Sequence, residues 1–116
     1  MDDDRAPTDV YPLPWTVEIA VAMFAAYNSH LMRPGKGLFR RERYLTPFLE
    51  EFKDHSISAL TMVHVEGFLD SRRGRSKDGR ISSWRRREYL RTLREFFLWL
   101  EEGDYVSRRM SSRMVP

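Results

Sequence analysis

The clearest helical pattern in the chain lies in residues 79–103, GRISSWRRREYLRTLREFFLWLEEG. Large apolar side chains recur there every three or four residues, the spacing of one face of an α-helix: Leu90, Leu93, Phe97 and Leu100, with Tyr89 and Phe96 beside them. Ser82 or Ser83 is a favourable N-cap, and Gly103 is a favourable C-terminal stop. At about 100° per residue, three arginines fall together on a flank of this apolar face: Arg87, Arg91 and Arg94. The pattern predicts a long helix that buries its apolar face and presents a row of guanidinium groups outward.

The net charge of +3 conceals an uneven distribution of charged residues. Residues 1–32 hold one basic residue and five acids, whereas residues 33–94 hold sixteen Lys and Arg and eight Asp and Glu. A solvated charged surface would also explain this composition. However, an excess of positive charge in the middle of a domain is what a nucleic-acid-binding surface requires, and guanidinium groups suit forked phosphate contacts. The charge pattern therefore favours nucleic acid as the partner.

Length and composition limit the class of protein. At 116 residues the chain is long enough for one domain. The absence of cysteine excludes disulfides and thiolate metal sites. Residues 1–4 are too acidic for a secretory signal, and the apolar run at residues 17–27 is too short to span a bilayer. We expect a cytoplasmic protein that does not bind membranes.

A first helix is predicted from a Thr16 cap to about residue 31, and it is apolar on two faces. One face is expected to turn inward: Val17, Ala20, Phe24, Tyr27 and Leu31. The opposite face carries Ile19, Ala22 and Ala26. A helix that is apolar all round is either central or covered by a partner, so we predict that this second face contacts a protein, either another protomer or a catalytic domain.

A second helix is predicted after the break at residues 33–37 and ends near Phe52. Pro47 removes one backbone hydrogen bond, so we expect a kink there or a restart capped by Thr46. The helix buries one side and gathers three cations on the other, which we predict to bind DNA: Lys36, Arg40 and Arg43.

A third helix is predicted to begin near Ser58 or Thr61 and to end by Gly74, with Met62, Val65, Phe68 and Leu69 inward. Gly67 inside it is tolerable if another backbone packs close. The loop that follows is basic and punctuated by glycine, and it adds further predicted DNA contacts: Arg72, Arg73, Arg75, Lys77 and Arg80.

These elements divide the chain into three parts. Residues 1–14 read as a disordered acidic leader, residues 15–106 as a helical domain, and residues 107–116 as a linker or frayed tail. No strand pattern of any length is present. The sequence predicts an all-α bundle of four to five helices.

Residues 16–106 resemble the N-terminal core-binding (SAM-like) domain of tyrosine recombinases and phage integrases. Three pieces carry the resemblance: the spaced aromatic residues Tyr44, Phe48 and Phe52; the stretch ISALTMVHVEGFL at residues 57–69; and the run from Ile81-Ser82 through Leu93-Arg94 and Phe96-Phe97 to Leu100 and Gly103. The resemblance implies a SAM-like bundle that grips one side of a DNA duplex, with its second and fourth helices facing the DNA. It also implies that a separate, C-terminal domain supplies catalysis, and we expect this chain to lack that domain.

No catalytic, cofactor or metal-binding constellation is predicted within the chain. The five tyrosines are better explained as packing residues than as nucleophiles. The three histidines lack the spacing of metal ligands. No glycine-rich phosphate loop follows a strand. We therefore expect a DNA-binding module that is not itself an enzyme and takes no small-molecule substrate. The alternatives are a stand-alone helical protein–protein interaction module and a small accessory DNA-binding protein.

Overall fold

The computed structural model describes residues 15–31, 37–74, 77–106 and 110–116, apart from the side chains of residues 28–31 and 37–41. The described residues form four helices: α1 (Val17–Leu31), α2 (Gly37–Phe52), α3 (Met62–Ser71) and α4 (Ser83–Glu102). Short 3-10 turns occupy Ile57–Ala59 and Ser111–Arg113. The described residues contain no strand, only an isolated bridge between Thr16 and Ser56. The predicted all-α bundle is confirmed, with four helices. The acidic leader, Lys36 and Arg75 lie outside the described residues, as does the side chain of Arg40.

Helix α4 is the central element of the bundle, since it packs against α1, α2 and the C-terminal turn. Leu93, Phe96, Phe97 and Leu100 of α4 are almost completely buried. Aromatic rings from the other helices meet this face edge-on, including Phe48, whose ring centre lies 6.3 Å from that of Phe97. The remaining expected core residues are also buried: Phe24, Leu45, Phe52, Val65, Phe68 and Leu69. Leu90 differs from expectation, because it is only partly buried at the edge of this core.

Backbone hydrogen bonds from the α2–α3 connection hold the N-terminus of α1 in place. The first two N–H groups of α1 donate to the carbonyls of His55 and Lys53, at 2.9 and 3.1 Å. The Thr16 hydroxyl accepts from the N–H of Ile19 at 3.3 Å, as expected of a cap. Three donors that a helix start leaves without intrahelical partners are thereby satisfied.

Helix α2 continues through Pro47, so the expected restart capped by Thr46 is wrong. Proline has no N–H to donate to the carbonyl of Arg43, and the helix spans that missing bond. Packing explains why the helix continues past Pro47. Leu45 before the proline and Phe48 directly after it are both buried in the core. The third helix starts at a Thr61 cap, as expected.

The segment after α4 is packed, and the expectation of a linker or frayed tail is wrong for residues 110–116. The Glu101 carboxylate, 3% exposed, accepts hydrogen bonds from the N–H groups of Met110 (2.7 Å) and Ser111 (3.0 Å) and from the Ser111 hydroxyl (2.6 Å). Met110 and Met114 bury their side chains in the core. A carboxylate near a helix C-terminus is unfavourable toward the helix dipole, but three donors compensate for its burial here.

We predict that Glu101→Ala lowers the free energy of unfolding on the order of 3 kcal/mol, because it removes three charge-assisted hydrogen bonds and leaves buried donors unpaired. Urea unfolding measures the loss, and amide exchange at Met110 and Ser111 should accelerate more than exchange in the middle of α4. Glu102→Ala is the matched control, since Glu102 is exposed. Equal effects of the two substitutions would show that the carboxylate does not hold the tail.

Gly67 in α3 has no close backbone neighbour among the described residues, so the close packing that would favour glycine there is not seen. It is exposed, and a Cβ atom built on it meets nothing within 4 Å. Gly74 is the opposite case, since a Cβ there would lie 2.6 Å from the carbonyl oxygen of Arg80. Close approach of backbone therefore requires glycine at position 74 but not at position 67.

We predict that Gly67→Ala raises the free energy of unfolding by roughly 0.5–1 kcal/mol, because alanine loses less backbone entropy in a helix. Gly74→Ala should lower it, since the backbone around Arg80 would have to move. Both shifts are measurable as urea midpoints. A destabilised Gly67→Ala protein would contradict the open surroundings of this residue.

Candidate nucleic-acid interface

The three arginines predicted to form a row on α4 lie on its exposed side. The Ser82 hydroxyl accepts from the N–H of Arg85 at 3.1 Å and fixes the start of the helix. From this start, the buried positions centre on Phe96 and Leu100. At about 100° per residue, the arginines Arg87, Arg91 and Arg94 lie roughly opposite that centre. They are therefore farther from the buried face than the flank position predicted from the sequence. All three are exposed to solvent.

The three arginines differ in their local partners. Arg91 lies 3.3 Å from the carboxylate of Glu88, whose side chain is only 7% exposed. No carboxylate among the described residues pairs with Arg87 or Arg94. Arg91 therefore neutralises a nearly buried acid in addition to facing solvent, whereas Arg87 and Arg94 keep their full charge for a ligand.

The α3–α4 loop folds back on itself just before the first turn of α4. The Gly74 N–H donates to the carbonyl of Gly79 at 3.0 Å, and Gly79 adopts a positive φ of 78° that glycine tolerates. The Asp78 carboxylate accepts from the N–H of Arg80 at 3.0 Å and completes the turn. Lys77 and Arg80 are exposed on this loop, as predicted.

A groove of about 600 Å³ lies between the end of α3 and the start of α4. Three arginines and one acid line it with apolar residues and a serine: Arg72, Arg80, Arg86, Asp70, Leu69, Ile81 and Ser83. Arg86 reaches Asp70 at 3.8 Å across it. Arg86 was not among the predicted site residues, because the helical pattern alone assigned it to no row.

Besides Arg91, three of the predicted DNA contacts have partners within the protein: Arg72, Arg73 and Arg80, the last lying 3.9 Å from the Asp78 carboxylate. Arg72 donates to Glu51 at 3.4 Å and to the carbonyl of Phe68 at 3.2 Å, and its guanidinium lies 4.2 Å from the centre of the Phe68 ring. Arg73 donates to the carbonyls of Asp70 and Arg72, both at 3.3 Å. Arg72 therefore fastens α3 to α2, and Arg73 satisfies carbonyls at the C-terminus of α3.

Helix α2 contributes one described cation to the same region. Arg43 is exposed, and its neighbour Tyr44 is buried with its ring centre 4.9 Å from that of Tyr89. This contact places Arg43 beside the N-terminal half of α4, where Arg87 also lies.

The second apolar face of α1 is exposed in the isolated chain. Ile19 is 45% exposed and Met23 is 46% exposed, and Ala22 and Ala26 are also exposed. Tyr27, expected inward, is instead 49% exposed at the edge of α1, where its ring centre lies 6.0 Å from that of Trp99. This face is a candidate surface for a protein partner.

The part of the chain that the structure describes holds no group of three or more His, Asp or Glu side chains arranged to bind a metal ion. Among its helices, none is long and apolar enough to cross a bilayer. His64 has a structural role, because its Nδ1 accepts from the N–H of Thr61 at 3.0 Å at the start of α3.

Comparisons of the chain with protein-family models, curated proteins and solved structures give no match. The case for a function therefore depends on the chemistry of these surfaces and on the sequence resemblance.

Proposed function

We propose that this domain binds duplex DNA through the outward side of α4, in the manner that its resemblance to the core-binding domain of tyrosine recombinases and integrases implies. The observation that carries the proposal is the row of exposed arginines opposite the core, of which Arg87 and Arg94 face no carboxylate among the described residues. Lys77 and Arg80 extend the positive surface along the loop, and Arg43 extends it onto α2.

The row is long enough to span several phosphates of one DNA strand. Arg87 and Arg94 are seven residues apart, or roughly 10 Å along a helix that rises 1.5 Å per residue. One DNA strand carries a phosphate about every 3.4 Å of duplex axis, so the two arginines span about three phosphate intervals of a strand that runs along the helix. Phosphate contacts fix the position of a protein on DNA but do not read its sequence. We therefore expect weak binding with little sequence preference.

We predict that the double variant Arg87→Ala, Arg94→Ala binds duplex DNA more weakly and with a flatter salt dependence. Each neutralised phosphate contributes roughly 0.9 to the slope of log affinity against log salt, so the slope should fall by up to about 1.8 if each arginine engages one phosphate. Fluorescence anisotropy with a labelled duplex at several salt concentrations measures it. Arg91 is left in place because it also pairs with the nearly buried Glu88 carboxylate, so its removal would change more than the charge offered to DNA.

The matched control removes the same charge elsewhere, as Lys53→Ala with Arg113→Ala, both exposed side chains away from the row. All four substitutions are at exposed positions, so the melting temperatures should change little. A control that weakens binding as much as the α4 variant would show that the attraction is diffuse charge and that the row is only a solvated face.

We infer that the domain binds DNA without cleaving it, as expected of a module whose catalysis comes from another domain. Tyr44 and Tyr89 are buried against each other. Tyr27 and Tyr105 pack against Trp99. The burial of Tyr44 and Tyr89 leaves these two hydroxyl groups poorly placed to attack a phosphate.

A protein–protein contact is the second candidate function, and the exposed face of α1 supports it. Ile19 and Met23 are nearly half exposed on a helix whose only acidic residue is Glu18. Burying such side chains against a partner removes apolar surface from water, which contributes a free energy of about 25 cal/mol per Å² of buried surface. A second copy of the domain on the same DNA and a separate catalytic domain are both suitable partners.

We predict that Ile19→Ser combined with Met23→Ser abolishes self-association on DNA, measured by analytical ultracentrifugation, while leaving the melting temperature nearly unchanged. Both side chains are exposed and contribute little to the core. DNA affinity per protomer should stay the same. If the unsubstituted protein remains monomeric both free and on DNA, a second copy is not the partner of this face.

A further inference from the structure

Trp84 differs from the other two tryptophans of the chain in its surroundings. Trp15 stacks on Tyr105 with ring centres 4.5 Å apart, and Trp99 packs on the same tyrosine at 5.1 Å. Trp84, in contrast, is 58% exposed. Its indole therefore contributes little to the core of the bundle.

The position of Trp84 aligns it with the arginine row. It lies in the first turn of α4, three residues before Arg87 and seven before Arg91, so all three side chains project from the same side of the helix. The neighbouring Arg85 is exposed as well. An apolar ring thus stands at one end of a line of cations, the combination of groups that binds single-stranded nucleic acid elsewhere.

We propose that Trp84 stacks on an unpaired base, and that the α4 surface binds DNA containing a single-stranded segment more tightly than fully paired duplex. This inference rests on the proposed function and specifies its substrate. The arginines neutralise consecutive phosphates of one strand, while the indole takes the face of a base from the same strand. In an intact duplex the bases are stacked on one another, and an indole beside the backbone meets sugars and phosphates, which offer no π-face.

The test compares three labelled DNAs by fluorescence anisotropy: a short duplex, the same duplex with a single-stranded overhang, and the single strand alone. The unsubstituted domain should bind both DNAs with unpaired bases more tightly than the duplex. Trp84→Ala should weaken binding to those two by about 5- to 150-fold, the range that corresponds to one stacked base. Affinity for the paired duplex should change little. Trp84→Phe should retain most of the preference, because phenylalanine also presents a π-face.

Two controls separate stacking from a loss of structure or of apolar surface. Val63→Ala removes another exposed apolar side chain, 76% exposed on α3, and should leave all three affinities unchanged. Tryptophan fluorescence should be quenched when the unsubstituted domain binds single-stranded DNA. The quenching should vanish in Trp84→Phe, since the other two indoles pack within the protein. Circular dichroism verifies that each variant is folded.

Two outcomes would overturn this inference while leaving DNA binding intact. Equal weakening on all three DNAs by Trp84→Ala would mean that the indole makes a general backbone contact. Unchanged affinities would mean that Trp84 meets a protein partner or solvent. In either case the salt dependence contributed by Arg87 and Arg94 would still support the proposed function. Absence of salt-dependent binding to any DNA would overturn both proposals.

Discussion

The burial of one face of α4 is the constraint on which the other features of the domain depend. Leu93, Phe96, Phe97 and Leu100 lose almost all contact with water, and each such side chain contributes about 1.5–3 kcal/mol when fully buried. Any rotation of α4 that brought an arginine inward would expose these residues and desolvate a charge. The outward direction of the arginine row is therefore a consequence of the core, and the core fixes the surface that a ligand meets.

Most of this core could be predicted from the sequence, because the spacing of apolar residues within a single helix determines which side of that helix is buried. The three- and four-residue spacing of apolar residues identified α4, and the serine and glycine at its ends marked its limits. Trp99 and Tyr27 show where periodicity becomes ambiguous. Tyr27 follows the inward spacing of α1 yet lies at its edge, where its ring packs beside that of Trp99. Gly67 is a related case, since the spacing of residues within α3 does not show whether another segment of backbone packs against this glycine.

Long-range partners explain the remaining differences between prediction and structure. Arg72 and Arg87 look alike in the sequence, but Glu51, 21 residues before Arg72, engages the first. Local pattern in residues 110–116 does not indicate packing, because the group that holds this segment is the Glu101 carboxylate on α4. It lies nine and ten residues before the N–H groups of Met110 and Ser111 that donate to it. A prediction from one sequence can identify charged residues that suit DNA. It cannot separate those fastened within the protein from those free to bind.

The arrangement of α1 and α4 allows their two candidate surfaces to be used together. The helices meet at the C-terminal half of α4, where Phe24 packs against Phe96 at 5.4 Å and against Trp99 at 5.5 Å. Trp84 and Arg87 lie in the first two turns of α4, away from that contact. The exposed residues of α1, Ile19 and Met23, project from the side of the helix opposite its buried face. A protein docked on α1 would therefore leave the N-terminal half of α4 open to DNA. Under the proposed function, two such domains would bind one DNA through α4 while contacting each other through α1.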